Sequence, residues 1–303
     1  MIHGLVLGGL GNQLFKIFAT IAYSIEYNQP FFFFYTSTVN GRKTYWEDFL
    51  CKLKKYTIHE FTQEKYIEEY MKEYFIHIGT FNHHYEILPP AEPNENYSLR
   101  YFLQSYKYFE KHENKIYDMI GWNEQRENVH SKYSHYFVDS SSDCSDMITV
   151  SIHFRLGDYK DNQSSHNLLP ISYYELAIKE ITSRTNDLLG NTPRKIRFLY
   201  FYEDEDKNYV NEFINIIRKT ECETEFVSID TSITDWEQML LMSCCHSNII
   251  ANSSFSWWGA YSNTNKDKIV CYPSVWFGPL LSHNKIDDMF PDNWTKIQWN
   301  VCE

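Results

Sequence analysis

Positive charge is scarce in this chain: 28 Lys and Arg stand against 40 Asp and Glu, a formal net charge of −12 over 303 residues. Binding a polyanion requires phosphates to be neutralised along a basic surface, and no basic cluster is present, so a nucleic-acid partner is excluded. A small phosphorylated ligand is different, because one or two arginines and a helix N-terminus suffice to hold it inside an acidic protein. A long apolar run is also missing. The most apolar stretch, at the N-terminus, is interrupted by Gly4, Gly8, Gly9, Gly11, Asn12, Gln13 and Lys16 and lacks a basic leader. It suits neither a signal peptide nor a membrane span of about 20 residues. Strand, glycine turn and helix suit it better. An even cysteine framework is lacking too: the seven cysteines are scattered at 51, 144, 222, 244, 245, 271 and 302. They read as reduced thiols of a soluble cytoplasmic protein, and Cys244, Cys245 and His246 as a buried helix end rather than a metal group.

What the chain has in quantity is apolar and aromatic surface, 43% and 17% of residues, with 24 Tyr and 21 Phe. That is enough for real cores, and the length suits two domains of roughly 150 residues. Expected strands are His3–Leu7, Phe31–Tyr35, Tyr74–Ile78, Ile148–His153, Ile196–Tyr202, Glu225–Ile229, Ser247–Ala251 and Ile269–Tyr272. Helices are expected at Asn12–Tyr27, around Thr62–Glu73, at Ser105–Ile120, Ser172–Ile181, Asn208–Arg218 and after Thr234. Ser172 with Glu175, and Thr234 with Glu237, have capping-box spacing. The polar run at 139–146 is the expected linker, dividing the chain into domains 1–145 and 146–303. Strands alternating with helices imply right-handed βαβ units and parallel sheets, hence two α/β halves around a cleft.

In such folds ligands sit beyond the carboxyl ends of the strands, and three loops there carry chemistry. The first is Gly8–Gln13, GGLGNQ, where glycines such as Gly9 and Gly11 allow close backbone approach and Asn12 offers an amide donor. It is neither a dinucleotide fingerprint, since Leu14 holds the third glycine position, nor a Walker loop, since the lysine is missing. The second is His153–Tyr159, HFRLGDY, in which Arg155 can grip a diphosphate through both arms of its fork and Asp158 can orient it. The third begins at Ala251, where Asn252, Ser253, Ser254, Phe255 and Ser256 enter a helix whose N-terminus suits one phosphate. Trp257 and Trp258, which follow, read as packing. Asp204 and Asp206 form an Asp-x-Asp pair of the kind that holds a divalent ion, read here as a solvated acidic helix entry, and His83 and His84 read as surface residues.

Taken together, GGLGNQLF, HFRLGDY and NSSFSWWGA, in that order, resemble the motifs of the α-1,2-fucosyltransferase family, glycosyltransferase family 11. Leu103–Glu110, Phe201–Asp204, Thr234–Ser254, Pro273–Phe277 and Trp294 extend the resemblance over nearly the whole chain. It implies a GT-B fold of two Rossmann-like domains facing each other across a cleft, the first reading an acceptor and the second binding GDP-fucose, with the last helix packing back on the first domain. It further implies an inverting transfer of L-fucose to a sugar hydroxyl, without a metal or other cofactor and without a membrane anchor. The donor would be held by Gly9, Gly11, Asn12, His153, Arg155 and Asn252–Ser256, with Arg155, the amides after Asn252 and Asn12 stabilising the departing GDP, and with Asp158, His153 or the diphosphate itself taking the acceptor proton. One position departs from the family pattern: its second motif has two adjacent arginines, and here the second is Leu156.

Overall fold

The computed structural model describes residues 1–39, 41–59, 71–79, 83–138, 147–189, 195–220 and 224–299. The chain forms two compact units, Met1–Gln125 with Asn284–Pro291 and Arg126–His283 with Asp292–Glu303. The expected linker at 139–146 lies outside the described residues, and the units divide earlier, within the helix Trp122–Lys132. The segment that returns to the first unit is Asn284–Pro291, not a last helix; the final described element is a strand. Asp288 anchors that segment by accepting from the Tyr85 amide at 3.3 Å and pairing with Lys107.

The first unit carries strands β1 (Ile2–Gly4), β2 (Phe31–Phe34), a small hairpin of β3 (Thr38–Val39) and β4 (Arg42–Lys43), then β5 (Thr57–Ile58), β6 (Ile76–Ile78) and β7 (Tyr97–Leu99). Its main sheet has the order β5-β2-β1-β7-β6, every pair parallel. Strand β1 stops at Gly4, short of the expected Leu7, and the chain turns at Gly8 with φ +78. The helix that follows starts at Leu10 rather than Asn12, with Gly9 as its N-cap, and runs to Glu26 with an almost wholly buried surface. It lies directly on β1: a Cβ at Gly4 would come within 2.4 Å of Thr20 Oγ1 and 2.5 Å of the Phe33 ring. The helix expected over Ser105–Ile120 is broken into short 3-10 turns at Tyr106–Tyr108 and Glu110–His112 and becomes regular only at Glu113–Ile120. The break lets Phe109 turn inward against Phe18, ring centroids 5.2 Å apart. Of the helix expected near Thr62–Glu73, residues 62–70 lie outside the described residues and 71–74 are helical.

The second unit holds β8 (Ile148–His153), β9 (Ile196–Phe201), β10 (Glu225–Ser228), β11 (Ser247–Ile249), β12 (Val270–Pro273) and β13 (Thr295–Ile297) in the order β10-β9-β8-β11-β12-β13, all parallel. Counted within the unit this is 3-2-1-4-5-6, the Rossmann order, with its topological switch between β8 and β11. Both units are thus Rossmann-like α/β units, the class that the sequence implied. Helices Ile171–Leu189, Lys207–Thr220, Asp235–Ser243 and Ser254–Tyr261 accompany the strands. The first of these begins at Ile171, one residue ahead of Ser172, so the expected box at Ser172 is not its N-cap. Thr234 does cap Asp235–Ser243, but its hydroxyl donates to the Glu237 carboxylate at 2.7 Å instead of accepting a backbone amide. Trp257 and Trp258 are fully buried, Trp257 stacking on Tyr261 at 4.6 Å, which makes them packing residues. Among the described residues, no helix is long and apolar enough to cross a membrane.

The close approach of helix and strand at Gly4 gives a stability prediction. Thr20 Oγ1 is fixed by donating to Lys16 O at 2.7 Å, so it cannot swing aside cheaply. Gly4→Ala is expected to destabilise the protein by about 1–3 kcal/mol, the usual cost of overpacking, read as a lower urea midpoint; an unchanged midpoint would show that the helix is free to move off the strand.

Candidate functional site

The switch point is built by the strand that reads most clearly in the sequence. Ile148, Val150, Ile152, Phe154 and Leu156 all belong to one buried cluster, so side-chain alternation continues past the end of β8. The ladder continues as well, with the Phe154 amide donating to Phe201 O at 2.9 Å. His153 and Arg155 therefore face away from that cluster, on one side together, as their spacing suggested. Leu156, at 2% exposure, faces into the core, so the position where the family pattern has a second arginine is a packing position in this chain.

Arg155 is clamped. Its fork pairs with Glu203, which follows β9, and with Asp158 three residues on, and its guanidinium lies over the Tyr159 ring, 5.0 Å from the centroid. Burial opposes its charge, but the two carboxylates outweigh that and hold its pKa above the ordinary value. Tyr159 in turn donates to Asn252 O at 3.1 Å, tying the β8 loop to the β11 loop. Gly157, at φ +33, brings the chain close to Glu203 and donates its amide to Asp206 at 2.9 Å. Glu203 and Tyr159 carry this geometry and sequence reasoning passed them over as ligand-site residues; the Phe201–Asp204 resemblance was the one signal for Glu203.

The third loop needs correction. Asn252 does not offer its amide to a ligand: Nδ2 donates to Asn167 O at 2.9 Å and to Trp276 O at 3.1 Å, fastening three loops together. Ser253 is the N-cap, its Oγ accepting from the Phe255 amide at 3.4 Å, and Ser256 Oγ accepts from the Ala251 amide at 3.2 Å. The hydroxyls of Ser253 and Ser256 are thus part of the loop's own scaffold. What the loop presents is the N-terminus of Ser254–Tyr261 itself, with Ser254 and Phe255 partly exposed and Phe255 beside His153, ring centroids 5.4 Å apart.

His153, wholly buried with its Nδ1 unpartnered, has its pKa lowered to about 3, first by burial and then by Arg155. It stays neutral at any ordinary pH and is a poor proton acceptor. Asp158, its rival for that role, is exposed and adjacent to Arg155.

Gly9, Gly11 and Asn12 belong to the first unit, at the carboxyl end of β1. A Cβ at Gly9 would meet nothing within 4 Å, so its outer side is open. Asn12 Oδ1 accepts from Gln104 Nε2 at 2.7 Å, and Gln104 Oε1 pairs with His83 Nδ1 at 2.8 Å. His83 is therefore buried, contrary to its surface reading, while His84 is partly exposed beside Glu86 at 3.1 Å. Gln13 is structural, donating to Gly8 O at 2.9 Å and Lys43 O at 2.8 Å.

Two groups read as decoys take definite roles. Glu203, Glu205 and Asp206 each place one oxygen within 4.8 Å of the others, a spacing a metal ion could use. Yet Glu203 pairs with Arg155, and buried Asp206 takes Lys160 and the Gly157 amide, while Asp204 accepts from Thr231 at 2.9 Å. These carboxylates position the loops. His246 Nδ1 accepts the Thr149 amide at 3.0 Å, and Cys51, Cys244, Cys245 and Cys271 are free thiols.

An arginine fork and a helix N-terminus thus stand at the switch point of a Rossmann-ordered sheet. The profile described as glycosyl transferase family 11 matches residues 10–298, and the chain belongs to that family. Two Escherichia coli proteins are similar to it in sequence. One is an O-antigen biosynthesis glycosyltransferase, WbnK, 36% identical over 162 residues, 51% of this chain and 46% of that one. The other is an alpha-1,2-colitosyltransferase, 31% identical over 153 residues, 50% of this chain and 48% of that one. The chain thus spans about half the length of the curated relatives it matches. Among solved structures it is similar to a mutant of Arabidopsis thaliana FUT1 in complex with GDP (12% identity, TM-score 0.49, 96% of this chain and 74% of that one). It is also similar to the fucosyltransferase NodZ from Bradyrhizobium (10% identity, TM-score 0.41, 85% and 91%).

Burial of basic groups makes stability depend on pH. His3, like His153, is buried with its pKa lowered to about 3, and Lys16 is buried with its pKa lowered to about 7. Each binds fewer protons folded than unfolded, so stability is lost as pH falls below the unfolded values. Taking pH from 7 to 5 is expected to remove about 2 kcal/mol for each histidine, and Lys16 extends the rise of stability with pH above 7. Urea unfolding at pH 5 and 7, with His3→Gln as control, checks this: the variant should lose part of the slope, and an equal slope would refute the assignment to His3.

Proposed function

We propose that the chain transfers L-fucose from GDP-β-L-fucose to a sugar hydroxyl, forming an α-1,2 linkage with inversion and without a bound metal. The observation that carries this reading is Arg155, held at the β8/β11 switch point beside the N-terminus of Ser254–Tyr261 in a member of family 11. The donor diphosphate would replace Glu203 and Asp158 on the Arg155 fork, a bidentate exchange of one oxyanion for another. As the bond to the sugar breaks, charge grows on the leaving phosphate, where Arg155 and the helix N-terminus stabilise it without reorganising. Asp158, freed by that exchange, is the base we assign to the acceptor proton, His153 being too weak a base. Asn12 on the first unit serves as a hydrogen-bond donor to a phosphate or sugar oxygen. The first unit reads the acceptor glycan, and the second binds the GDP-sugar.

A second reading, in which the donor is another GDP-sugar, is favoured by the relative named for colitosyl transfer and by Leu156 standing in the core. Both readings are tested by GDP release from a panel of GDP-sugars with galactose-terminated oligosaccharides as acceptors, followed by linkage analysis. Fucose is expected to lead the panel, with activity unchanged in EDTA. Arg155→Ala should lower turnover by about 100-fold or more at an unchanged unfolding midpoint; full activity in that variant would sink the scheme.

A further inference from the structure

The second unit has a second concave site, at the edge of its sheet opposite the Arg155 loop. A cavity of about 510 Å³ opens there, lined in part by Arg126, His130, Cys244, His246 and Thr264, all within that unit. His246 immediately precedes β11 and Thr264 precedes β12, so the cavity lies at the amino ends of the strands. His246 meets Thr149 near the start of β8, and Arg155 follows its end; at 3.3 Å per residue the two are about 20 Å apart. The volume is that of a small-ligand site and would hold a monosaccharide.

The walls of the cavity are tied to themselves. Asn263 Nδ2 donates to Cys245 O and Asn248 Oδ1, both at 2.8 Å, Asn265 Nδ2 donates to His246 O at 3.0 Å, and Ser243 Oγ donates to Leu240 O at 2.6 Å. Two helices end at this edge, Asp235–Ser243 and Ser254–Tyr261, and their carbonyl ends would repel an anion if left bare. They are covered: Asn248 Nδ2 donates to Met242 O at 2.8 Å, and Lys268 Nζ donates to Ala260 O at 2.9 Å and Tyr261 O at 3.1 Å.

Arg126 is surplus to this arrangement. It is partly exposed, and its side-chain hydrogen bond runs from Nη1 to the Thr264 hydroxyl at 2.6 Å, a neutral acceptor. Among the described residues no carboxylate pairs with it, whereas Arg155 has two. Glu127 also lines the cavity, but successive side chains on a helix do not face each other, while His130, four residues on, shares the face of Arg126. With Nη1 on Thr264, the Nε and Nη2 edge of the fork stays whole, the edge that grips an oxyanion through two bonds. Thr264, as an acceptor there, keeps its own proton to donate.

We propose that this cavity binds a monosaccharide-sized anion, a sugar phosphate or a sugar carboxylate, through the Arg126 fork and the Thr264 hydroxyl, apart from the sugar-transfer site. Phosphate and carboxylate share the geometry that the fork reads, and the exposed Glu127 accepts from sugar hydroxyls. Calorimetric titrations with glucose 1-phosphate, glucuronate and glucose test this, in the Arg155→Ala protein so that the transfer site does not compete. Arg126→Gln and Thr264→Val are then added to that background, with unfolding midpoints as the check on folding. At least one of the anions is expected to bind and glucose is not, and the tighter anion identifies the group recognised. Arg126→Gln should weaken binding about tenfold or more and Thr264→Val less, in keeping with loss of a charge-assisted and of a neutral hydrogen bond. The proposal is overturned if neither anion binds at millimolar concentration, if glucose binds as well as the anions, or if Arg126→Gln, folded as before, leaves affinity unchanged. None of these outcomes depends on which sugar the Arg155 site transfers.

Discussion

Strand β8 is paired along both edges, with β9 on one side and β11 on the other, and the rest of the second unit follows from that. Two-sided pairing holds β8 as far as Ile152, and the β9 side alone carries the extended chain on through Phe154, so the alternation of side chains continues to Leu156. It sends Phe154 and Leu156 into the core and leaves His153 and Arg155 on the other side. It also makes β8 the strand from which the crossovers diverge, and so places its loop at the switch point. A one-residue slip of β8 would bury Arg155 and expose Leu156.

A guanidinium at such a place is costly to desolvate unless compensated. Glu203, Asp158 and the Tyr159 ring supply the compensation, and the two acids come from loops after different strands. The clamp therefore joins the β8 and β9 loops, as Tyr159 joins the β8 and β11 loops through Asn252 O. Asp206, with Lys160 and the Gly157 amide, fixes the same turn from beneath. In an acidic chain, the arginine is kept in place by the surrounding surplus of carboxylate.

How much was legible depended on length and on whether a residue's partner was local. Ile148–His153 was legible at its true bounds because its six residues, all buried, alternate apolar and polar types. Strands β5, β7 and β13, two or three residues each, carry no period and were missed. Arg155 with Asp158 was legible as an i, i+3 pair, whereas the Glu203 contact depends on strand order, which one sequence does not state. Asn252 illustrates the opposite error. Its residue type suited a ligand, but Asn167 and Trp276, distant in sequence, take its amide. His83 appeared exposed because its partner Gln104 is 21 residues away in the chain. The two compact units meet between Gln125 and Arg126, within the helix Trp122–Lys132, which carries no break in composition that a sequence could show.

Leu156 also limits what the loop can become. Its side chain is enclosed with Tyr173, Tyr174 and Phe154 in one packed cluster, so the space an arginine would need has been filled by neighbours. Restoring the family's arginine at this one codon would place a long charged side chain into a closed apolar interior. A charged side chain is accommodated here only along with changes in the residues that pack there. The position is thus locked from within: the core of the fold itself restricts it to an apolar residue.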